Sequence, residues 1–485
     1  MKRFRDRDVA RKCSSKTIID TTNRFSQASS VSEPEASSSK FSKSSLWLGF
    51  LASAFSVFET YSESSAGEKK SVHTKTNGWT AAVRRVIAVG SMRKLQERVL
   101  GPSKTGMSCS TSNIWLLGVC YKISSDESSA DAEADAGNGF DAFKQDFSSR
   151  ILMTYRKGFD AIGDKKFTSD AGWGCMLRSS QMLAAQALLF HQLGRAWRKP
   201  LQKPYDQQYI EILHQFGDSE AMAFSIHNLL QAGNAYGLAA GSWVGPYAMC
   251  RSWEALSRCE RKETDVEQLL LPMAVYVVSG DADGERGGAP VVCIEDASRR
   301  CCEFSRGQAD WTPILLLVPL VLGLDKLNPR YIPSLQATFT FPQSLGILGG
   351  KPSASTYIVG VQDENAFYLD PHNVQSVVNL SRDNLEADTS SYHCDTIKHM
   401  ALESIDPSLA IGFYCRDKDD FGDFCHRASQ LANESSGAPL FTVTQTQKPS
   451  KHVSHGDVLA DSGGVQEDDS FGVTPVGDGD DWQFV

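Results

Sequence analysis

The sequence lacks the patterns typical of metal-binding, disulfide-rich and membrane-spanning proteins. Its 485 residues include 12 cysteines, yet none forms a Cys-x-x-Cys pair, and Cys301 and Cys302 are adjacent. Such spacing suits neither a zinc knuckle nor a disulfide framework, so we expect thiols in a reducing compartment and no metal or other cofactor. The first apolar stretch, residues 46–58, carries serines and is too short to span a bilayer.

Basic charge is also scarce. Lys and Arg number 49 against 58 Asp and Glu, which gives a net charge of -9 at pH 7. A nucleic acid held through its phosphates would require a basic face, so we expect no nucleic-acid partner. The first apolar stretch also lies too far along the chain to be a secretory signal. We expect the protein to be cytoplasmic and monomeric.

Composition divides the chain into three parts. Residues 1–105 are rich in Ser, Lys and Thr and predict a mostly disordered extension, whereas residues 106–437 predict the folded domain. Residues 438–485 predict an acidic, disordered tail. Within the domain, helical patterns come first and strand patterns second, which indicates an α+β fold with segregated layers.

Periodicity locates the individual elements. Apolar residues at helical spacing mark residues 147–155, 175–193, 209–216, 225–232, 249–256 and 421–431. Strand-type runs mark residues 113–123, 273–278, 314–322, 355–361, 366–369 and 410–415. We expect Pro319 to break the run at 314–322 and residues 281–310 to form an irregular insertion.

Cys175 is the candidate nucleophile. It follows the turn Gly172-Trp173-Gly174 and opens a predicted helix. The free N–H groups and the positive end of the dipole at a helix N-terminus lower the pKa of a thiol. Glycines on both sides of a residue let a substrate backbone approach closely. From these residues alone, a buried core cysteine at a helix start remains the alternative.

Asp370 and His372 form the second candidate pair. They flank Pro371 just after an apolar strand, and residues two apart on an extended segment leave on the same face. The proline favours extended geometry at Asp370. A carboxylate beside an imidazole raises its basicity and holds one tautomer. A surface histidine at a strand end remains the alternative.

Longer blocks carry a resemblance to a known family. They read TYRK at 154–157, TSDAGWGCMLRS at 168–179, GSWVGP at 241–246, PQSLGILGGKP at 342–352 and YLDPH at 368–372. In this order they resemble blocks of the autophagy-related protein 4 cysteine proteases, or autophagins, and indicate a plant member. The likeness runs over about residues 114–425 and is poor near 281–310.

The resemblance implies a papain-like cysteine protease fold. Its helical part would carry Cys175 as nucleophile, and a mixed or antiparallel sheet would carry Asp370 as the orienting carboxylate and His372 as general base and acid. The domain at 106–437 would then be catalytic and contain a family-specific insertion. Tyr155 matches a tyrosine that helps the N–H of Cys175 to hold an oxyanion. A core tyrosine packed under the helix is the alternative for Tyr155.

The resemblance also implies a substrate. Family members cut a ubiquitin-like autophagy modifier, autophagy-related protein 8, after a glycine near its C-terminus and release it from phosphatidylethanolamine on autophagic membranes. Trp243 matches a tryptophan that covers the cleft together with a loop before the glycine-rich block. Gly349 and Gly350 would supply hinge freedom there. Core packing for Trp243 and an ordinary turn for the glycines are the alternatives.

The acidic tail ends in a second candidate site. Trp482 and Val485 occupy the ends of the last four residues and follow Asp478, Asp480 and Asp481. This arrangement resembles the W-x-x-[LIV] motif that docks on the modifier as an added strand. Tethering through it would raise the local concentration of substrate. A frayed polar tail with a chance tryptophan is the alternative.

Two rival functions remain open on the sequence. One is a papain-like deubiquitinase for another ubiquitin-like protein, although many deubiquitinases place the histidine before the carboxylate. The other is an inactive scaffold that only binds the modifier. The presence of Cys175, Asp370 and His372 argues against the scaffold.

Overall fold

A computed structural model of the chain describes residues 104–105, 110–123, 133–163, 167–258, 271–278 and 288–446. The helices in these ranges are α1 Glu133–Ser148, α2 Cys175–Gln192, α3 Gln207–Gln215, α4 Ile226–Gly233, α5 Pro246–Arg258, α6 Ile294–Phe304, α7 Ile332–Thr338 and α8 Lys418–Glu434. Predictions for the remaining residues, including disorder at both ends and the motif from Trp482 to Val485, lie outside the described residues.

The strands lie mostly in the second half of the chain. They are β1 Lys104–Thr105, β2 Ile114–Leu116, β3 Val119–Tyr121, β4 Arg156–Ile162, β5 Phe167–Ser169, β6 Ala274–Val277, β7 Val291–Cys293, β8 Ile314–Val321, β9 Ser344–Gly349, β10 Thr356–Gln362, β11 Asn365–Leu369, β12 Gln375–Ser376, β13 Lys398–Ala401, β14 Ser408–Cys415 and β15 Thr442–Thr444. This distribution, with most helices before most strands, confirms the predicted α+β class.

One large sheet organises the domain. Its order is β1-β13-β11-β10-β9-β14-β8-β6, and the hairpin β2–β3 joins it through β10. Its pairs are antiparallel except for β6, which runs parallel to β8. Two smaller sheets, β12-β4-β5 and β15-β7, account for the other strands of the described ranges. The large sheet therefore matches the mixed, mainly antiparallel sheet that was predicted.

Both faces of the large sheet are covered by apolar packing. On β8, Leu315 and Leu317 belong to one core cluster, whereas Leu316 and Val318 belong to the other. This alternation follows from the two-residue period of a strand and explains why β8 reads as a continuous apolar run. Helix α2 packs on β9 and β10 from the first side. None of the described helices is long and apolar enough to cross a membrane.

Two predictions near the start of the domain are wrong. Residues 147–155 do not form a helix, because α1 ends at Ser148 and the chain then extends. The backbone of this extended segment forms hydrogen bonds with distant residues: the N–H of Leu152 donates to the carbonyl of Tyr392 at 2.8 Å. Residues 113–123 form the hairpin β2–β3 rather than one strand. Its turn contains Gly118 with φ 83°, a conformation that glycine adopts without strain.

Two predictions in the middle of the chain also need correction. Residues 281–310 are not wholly irregular, since β7 and α6 lie within them. Pro319 does not break the run at 314–322 either, because β8 continues through it and pairs Pro319 with Ala410.

The sheet tolerates Pro319 for a geometric reason. Leu322 donates its N–H to Pro407 on the β14 side. Because N–H groups alternate along a strand, the nitrogen of Pro319 points to the β6 side. The pairing with β6 ends at Leu317. The proline therefore lies beyond the part of β8 where it would have to donate to β6.

Core packing continues past residue 437, the predicted end of the domain. Leu440 and Phe441 are both 2% exposed, and Phe441 stacks on Phe424 of α8. Strand β15 then pairs with β7. The segment after α8 thus holds β7 against the core.

Candidate active site

Cys175 lies at the first position of α2, after a turn closed by backbone hydrogen bonds. The N–H groups of Trp173 and Gly174 both donate to the carbonyl of Asp170, at 3.2 and 2.8 Å. A Cβ on Gly174 would come 2.4 Å from Oδ2 of Asp170. Only glycine therefore fits at this position, and the thiol that follows is fully buried.

The pair of Asp370 and His372 lies just after β11. Oδ1 of Asp370 contacts Nδ1 of His372 at 2.6 Å and accepts the backbone N–H of His372 at 3.0 Å. Its other oxygen, Oδ2, accepts a hydrogen bond from Nζ of Lys398 at 2.6 Å. Both oxygens of the carboxylate are therefore engaged, and the imidazole is held in one orientation.

The fold brings these two segments together. The thiol of Cys175 and the imidazole of His372 interact electrostatically, although about 200 residues separate them in the chain. Tyr155 joins them: its N–H donates to the carbonyl of Pro371 at 2.9 Å, and its carbonyl accepts the N–H of Gln375 at 2.9 Å. Its ring stands edge-on to the imidazole, with centroids 5.5 Å apart at 88°. Its hydroxyl interacts with the thiol of Cys175.

The electrostatics favour a charged pair. Burial by itself raises the pKa of the Cys175 thiol, but the adjacent imidazole of His372 holds it below the ordinary value. Burial lowers the pKa of His372, yet its bonds to Asp370 and Cys175 outweigh that and raise it to about 9. Burial raises the pKa of Asp370, and His372 overcomes this and holds it well below its usual range. Thiolate and imidazolium thus stabilise each other.

A buried ion network lies beneath the nucleophile turn. The guanidinium of Arg178, one turn along α2, contacts Asp170 at 2.8 Å and Asp218 at 2.7 Å. Asp170 also accepts the backbone N–H of Arg156, the residue after Tyr155, at 2.6 Å. Asp170 therefore links the start of β4, next to Tyr155, to the turn that precedes the thiol. Sequence reasoning missed this role, although Asp170 and Arg178 both stand in the block at 168–179.

The loop 350–355, which joins β9 to β10, closes the site from the other side. The Oγ of Ser353 donates to the carbonyl of Gly172 at 3.2 Å, and the backbone of Ser355 helps to lower the pKa of the Cys175 thiol. A Cβ on Gly350 would lie 2.4 Å from the Cα of Ser355. Gly350, whose φ is 141°, therefore allows the two ends of the loop to approach each other.

The other predicted site residues fall in different places. Gly349 is buried at the end of β9, whereas Gly350 is the first residue of the loop that touches the nucleophile turn. Trp243 is half-buried on the same core cluster as α2. Its segment reaches the turn indirectly: Gly241 packs on the ring of Phe167, which stands edge-on to Trp173 at 5.6 Å.

The described residues contain no group of three or more His, Cys, Asp or Glu side chains arranged to hold a metal. The chemistry available is that of a thiolate at a helix N-terminus beside an imidazole held by a carboxylate. The hydroxyl of Tyr155 and the backbone of Ser355 act on the same sulfur. Together with the α+β fold, this group defines a cysteine protease of the papain-like type.

Comparison with known proteins narrows the class to a family. The sequence model of the family described as the peptidase C54 catalytic domain matches residues 140–427. The chain is 65% identical over 486 residues to "Cysteine protease ATG4" of Medicago truncatula, covering 99% of each. It is 60% identical over 470 residues to "Cysteine protease ATG4a" of Arabidopsis thaliana, covering 97% of this chain and 99% of that protein.

A more distant relative shows the same family. "Cysteine protease ATG4B" of Gallus gallus is 34% identical over 357 residues, which cover 71% of this chain and 87% of that protein. The chain therefore belongs to the ATG4 cysteine proteases of the peptidase C54 family. The predicted family is confirmed, and the higher identities to the two plant proteins agree with a plant member.

Proposed function

We propose that this protein processes the C-terminus of a ubiquitin-like autophagy modifier, autophagy-related protein 8, after a glycine. We also propose that it releases the modifier from phosphatidylethanolamine and so supports autophagosome formation. The observation that carries the proposal is the closed group of Cys175, His372 and Tyr155. It occurs in a chain that is 65% identical to a relative named ATG4.

The proposed roles follow the geometry of the site. Cys175 is the nucleophile, His372 is the general base and acid, and Asp370 orients the imidazole. The thiolate attacks the carbonyl carbon after the glycine, and the oxyanion accepts hydrogen bonds from the N–H of Cys175 and the hydroxyl of Tyr155. The imidazolium then gives its proton to the leaving nitrogen as the C–N bond breaks and an acyl thioester remains.

The second half of the reaction uses the same groups. His372 takes a proton from water, the hydroxide attacks the thioester, the thiolate leaves, and the carboxylic acid product releases its proton to solvent to become the carboxylate. The leaving nitrogen belongs to a peptide in the precursor and to the ethanolamine headgroup in the lipid conjugate. Both substrates present the same glycine carbonyl, so one site serves both reactions.

Burial of the thiol supports a glycine at the cleavage site. The thiol is 0% exposed, and Ser353 holds the loop 350–355 against the nucleophile turn. A substrate must displace that loop, and a backbone without a side chain needs the smallest displacement. We propose that Trp243, Gly349 and Gly350 take part in this entry path.

The remaining assignments complete the proposal. Residues 106–437 form the catalytic domain, with the packed segment to residue 446 attached to it. The protein acts as a cytoplasmic monomer, needs no cofactor, binds no nucleic acid, and contacts autophagic membranes transiently when its substrate is lipid-conjugated. The tail motif ending in Trp482 and Val485 is a second contact with the modifier.

Purified protein tests the proposal directly. We expect it to shorten a modifier that carries a C-terminal extension and to release the modifier from vesicles that contain phosphatidylethanolamine. Electrophoresis and intact mass locate the cut after the glycine. Cys175→Ala should abolish both reactions and still bind the modifier. Cys250→Ala, which removes another fully buried helical thiol, is the matched control and should retain activity.

The rival functions give different results. A deubiquitinase would cleave an extended ubiquitin and leave the autophagy modifier intact. An inactive scaffold would bind the modifier and cut neither substrate. Cleavage by Cys175→Ala at the wild-type rate would refute the assignment of the nucleophile.

A further inference from the structure

Lys398 reaches the catalytic carboxylate from a neighbouring strand. Strand β13 pairs with β11 so that Lys398 lies opposite Tyr368, two residues before Asp370. Its side chain is 31% exposed, and its ammonium donates to Oδ2 of Asp370 at 2.6 Å. Lys398 belongs to none of the sequence blocks from which the site was predicted.

This contact completes a row of alternating charges. One oxygen of Asp370 serves His372 through both the ring and the backbone N–H, and the other serves Lys398. The row runs from the ammonium through the carboxylate and the imidazolium to the thiolate of Cys175. Removal of the ammonium of Lys398 therefore makes the net charge beside the imidazolium more negative.

We propose that Lys398 is a positioning residue of the active site, which fixes the plane of the Asp370 carboxylate and weakens its hold on the proton of His372. The proposal rests on the roles proposed above for Asp370 and His372. A carboxylate with one free oxygen can rotate and carry the imidazole with it, whereas one bonded at both oxygens cannot.

The charge has a separate effect on proton transfer. An imidazolium that is strongly stabilised by a neighbouring carboxylate is a weak acid, and it is slow to protonate the leaving nitrogen. Because the ammonium partly offsets the negative charge of Asp370, it makes His372 a better proton donor. Loss of the ammonium should therefore raise the pKa of His372 and slow the expulsion of the amine.

Other titratable groups also face this pair. Tyr368 and Cys394 interact with Lys398 besides Asp370. Cys175 and Tyr155 face His372. The thiol titrates together with the imidazole, so the test removes it. In a Cys175→Ala background the charge on His372 is set mainly by Asp370 and Lys398.

The test is an NMR titration of the full chain with ¹³C-labelled histidine rings, in which His372→Gln assigns the resonance. In the Cys175→Ala background we expect Lys398→Met and Lys398→Gln to raise the pKa of His372 by about one pH unit. Lys398→Arg keeps the charge and should leave it unchanged. Lys144→Met, which removes an exposed lysine of α1, is the control. This titration uses no substrate, so it stands even if the proposed substrate is wrong.

Activity gives the second readout. With Cys175 present, Lys398→Met should lower kcat about tenfold with little change in KM, and Lys398→Arg should restore it. Lys398→Gln keeps a hydrogen-bond donor without the charge, and its kcat should lie between those of the methionine and arginine variants. It also provides the test if Lys398→Met fails to fold. An unchanged pKa of His372 in both neutral variants would overturn the proposal.

Discussion

Methionine in place of Arg178 would leave two buried carboxylates without their cation. The guanidinium contacts Asp170 and Asp218, whose side chains are 0% and 2% exposed, and also donates to Gln181 at 3.1 Å. Removal of one partner from a buried ion pair costs about 3–5 kcal/mol. A domain has about 5–15 kcal/mol of total stability. We therefore expect Arg178→Met to fold marginally.

Urea unfolding followed by tryptophan fluorescence measures this loss. The matched control is Arg427→Met, which removes a guanidinium from an exposed pair with Asp423, where the side chains are 40% and 42% exposed. An exposed pair contributes at most about 1 kcal/mol. If Arg178→Met loses no more stability than Arg427→Met, the network does not hold the nucleophile turn in place.

Three further predictions concern the site itself. Tyr155→Phe should lower kcat about 100-fold with little change in KM, because a lost oxyanion donor acts mainly in the transition state; an unchanged kcat would leave Tyr155 with a packing role. The profile of kcat/KM against pH should fall above about pH 9, where His372 loses the proton that it gives to the leaving nitrogen; a fall centred near pH 6.5 would contradict the ion pair. Gly174→Ala should lower stability by about 1–3 kcal/mol in thermal unfolding, because its Cβ overlaps Asp170; an unchanged melting temperature would contradict that overlap.

Local patterns predicted the helices and strands whose formation depends mainly on neighbouring residues in the sequence. The helices α3, α4 and α5 and the strands β10 and β11 appear within one to three residues of the expected bounds. Their apolar spacing is regular, and at the start of α4 the side chain of Ser225 accepts the N–H of Asn228 as a helix cap. These features are readable because each depends on neighbours in the sequence.

The predictions that were wrong concern segments whose structure depends on distant parts of the chain. Residues 147–155 have helical spacing, yet their backbone pairs with Tyr392 and Pro371, far along the chain. Pro319 fits a strand only because β6 ends where it does. Distant pairing decides both cases, and no local pattern carries that information.

The candidate site divides in the same way. Cys175 and His372 stand in recognisable blocks, so the family resemblance could single them out. Lys398 lies in no such block and enters the site only through the register of β13 on β11. Asp170 stands in a block, but its link between two segments becomes visible only in three dimensions.

The distance in sequence between thiol and imidazole has a consequence for newly made protein. Cys175 and its helix are translated about 200 residues before His372, Lys398 and the strands that hold them. At synthesis rates of about 5–20 residues per second, this interval is roughly 10–40 s. A ribosome-bound chain therefore carries the thiol without its imidazole and cannot cut. Proteolytic activity begins only when the sheet closes over the helix, after most of the domain has been made.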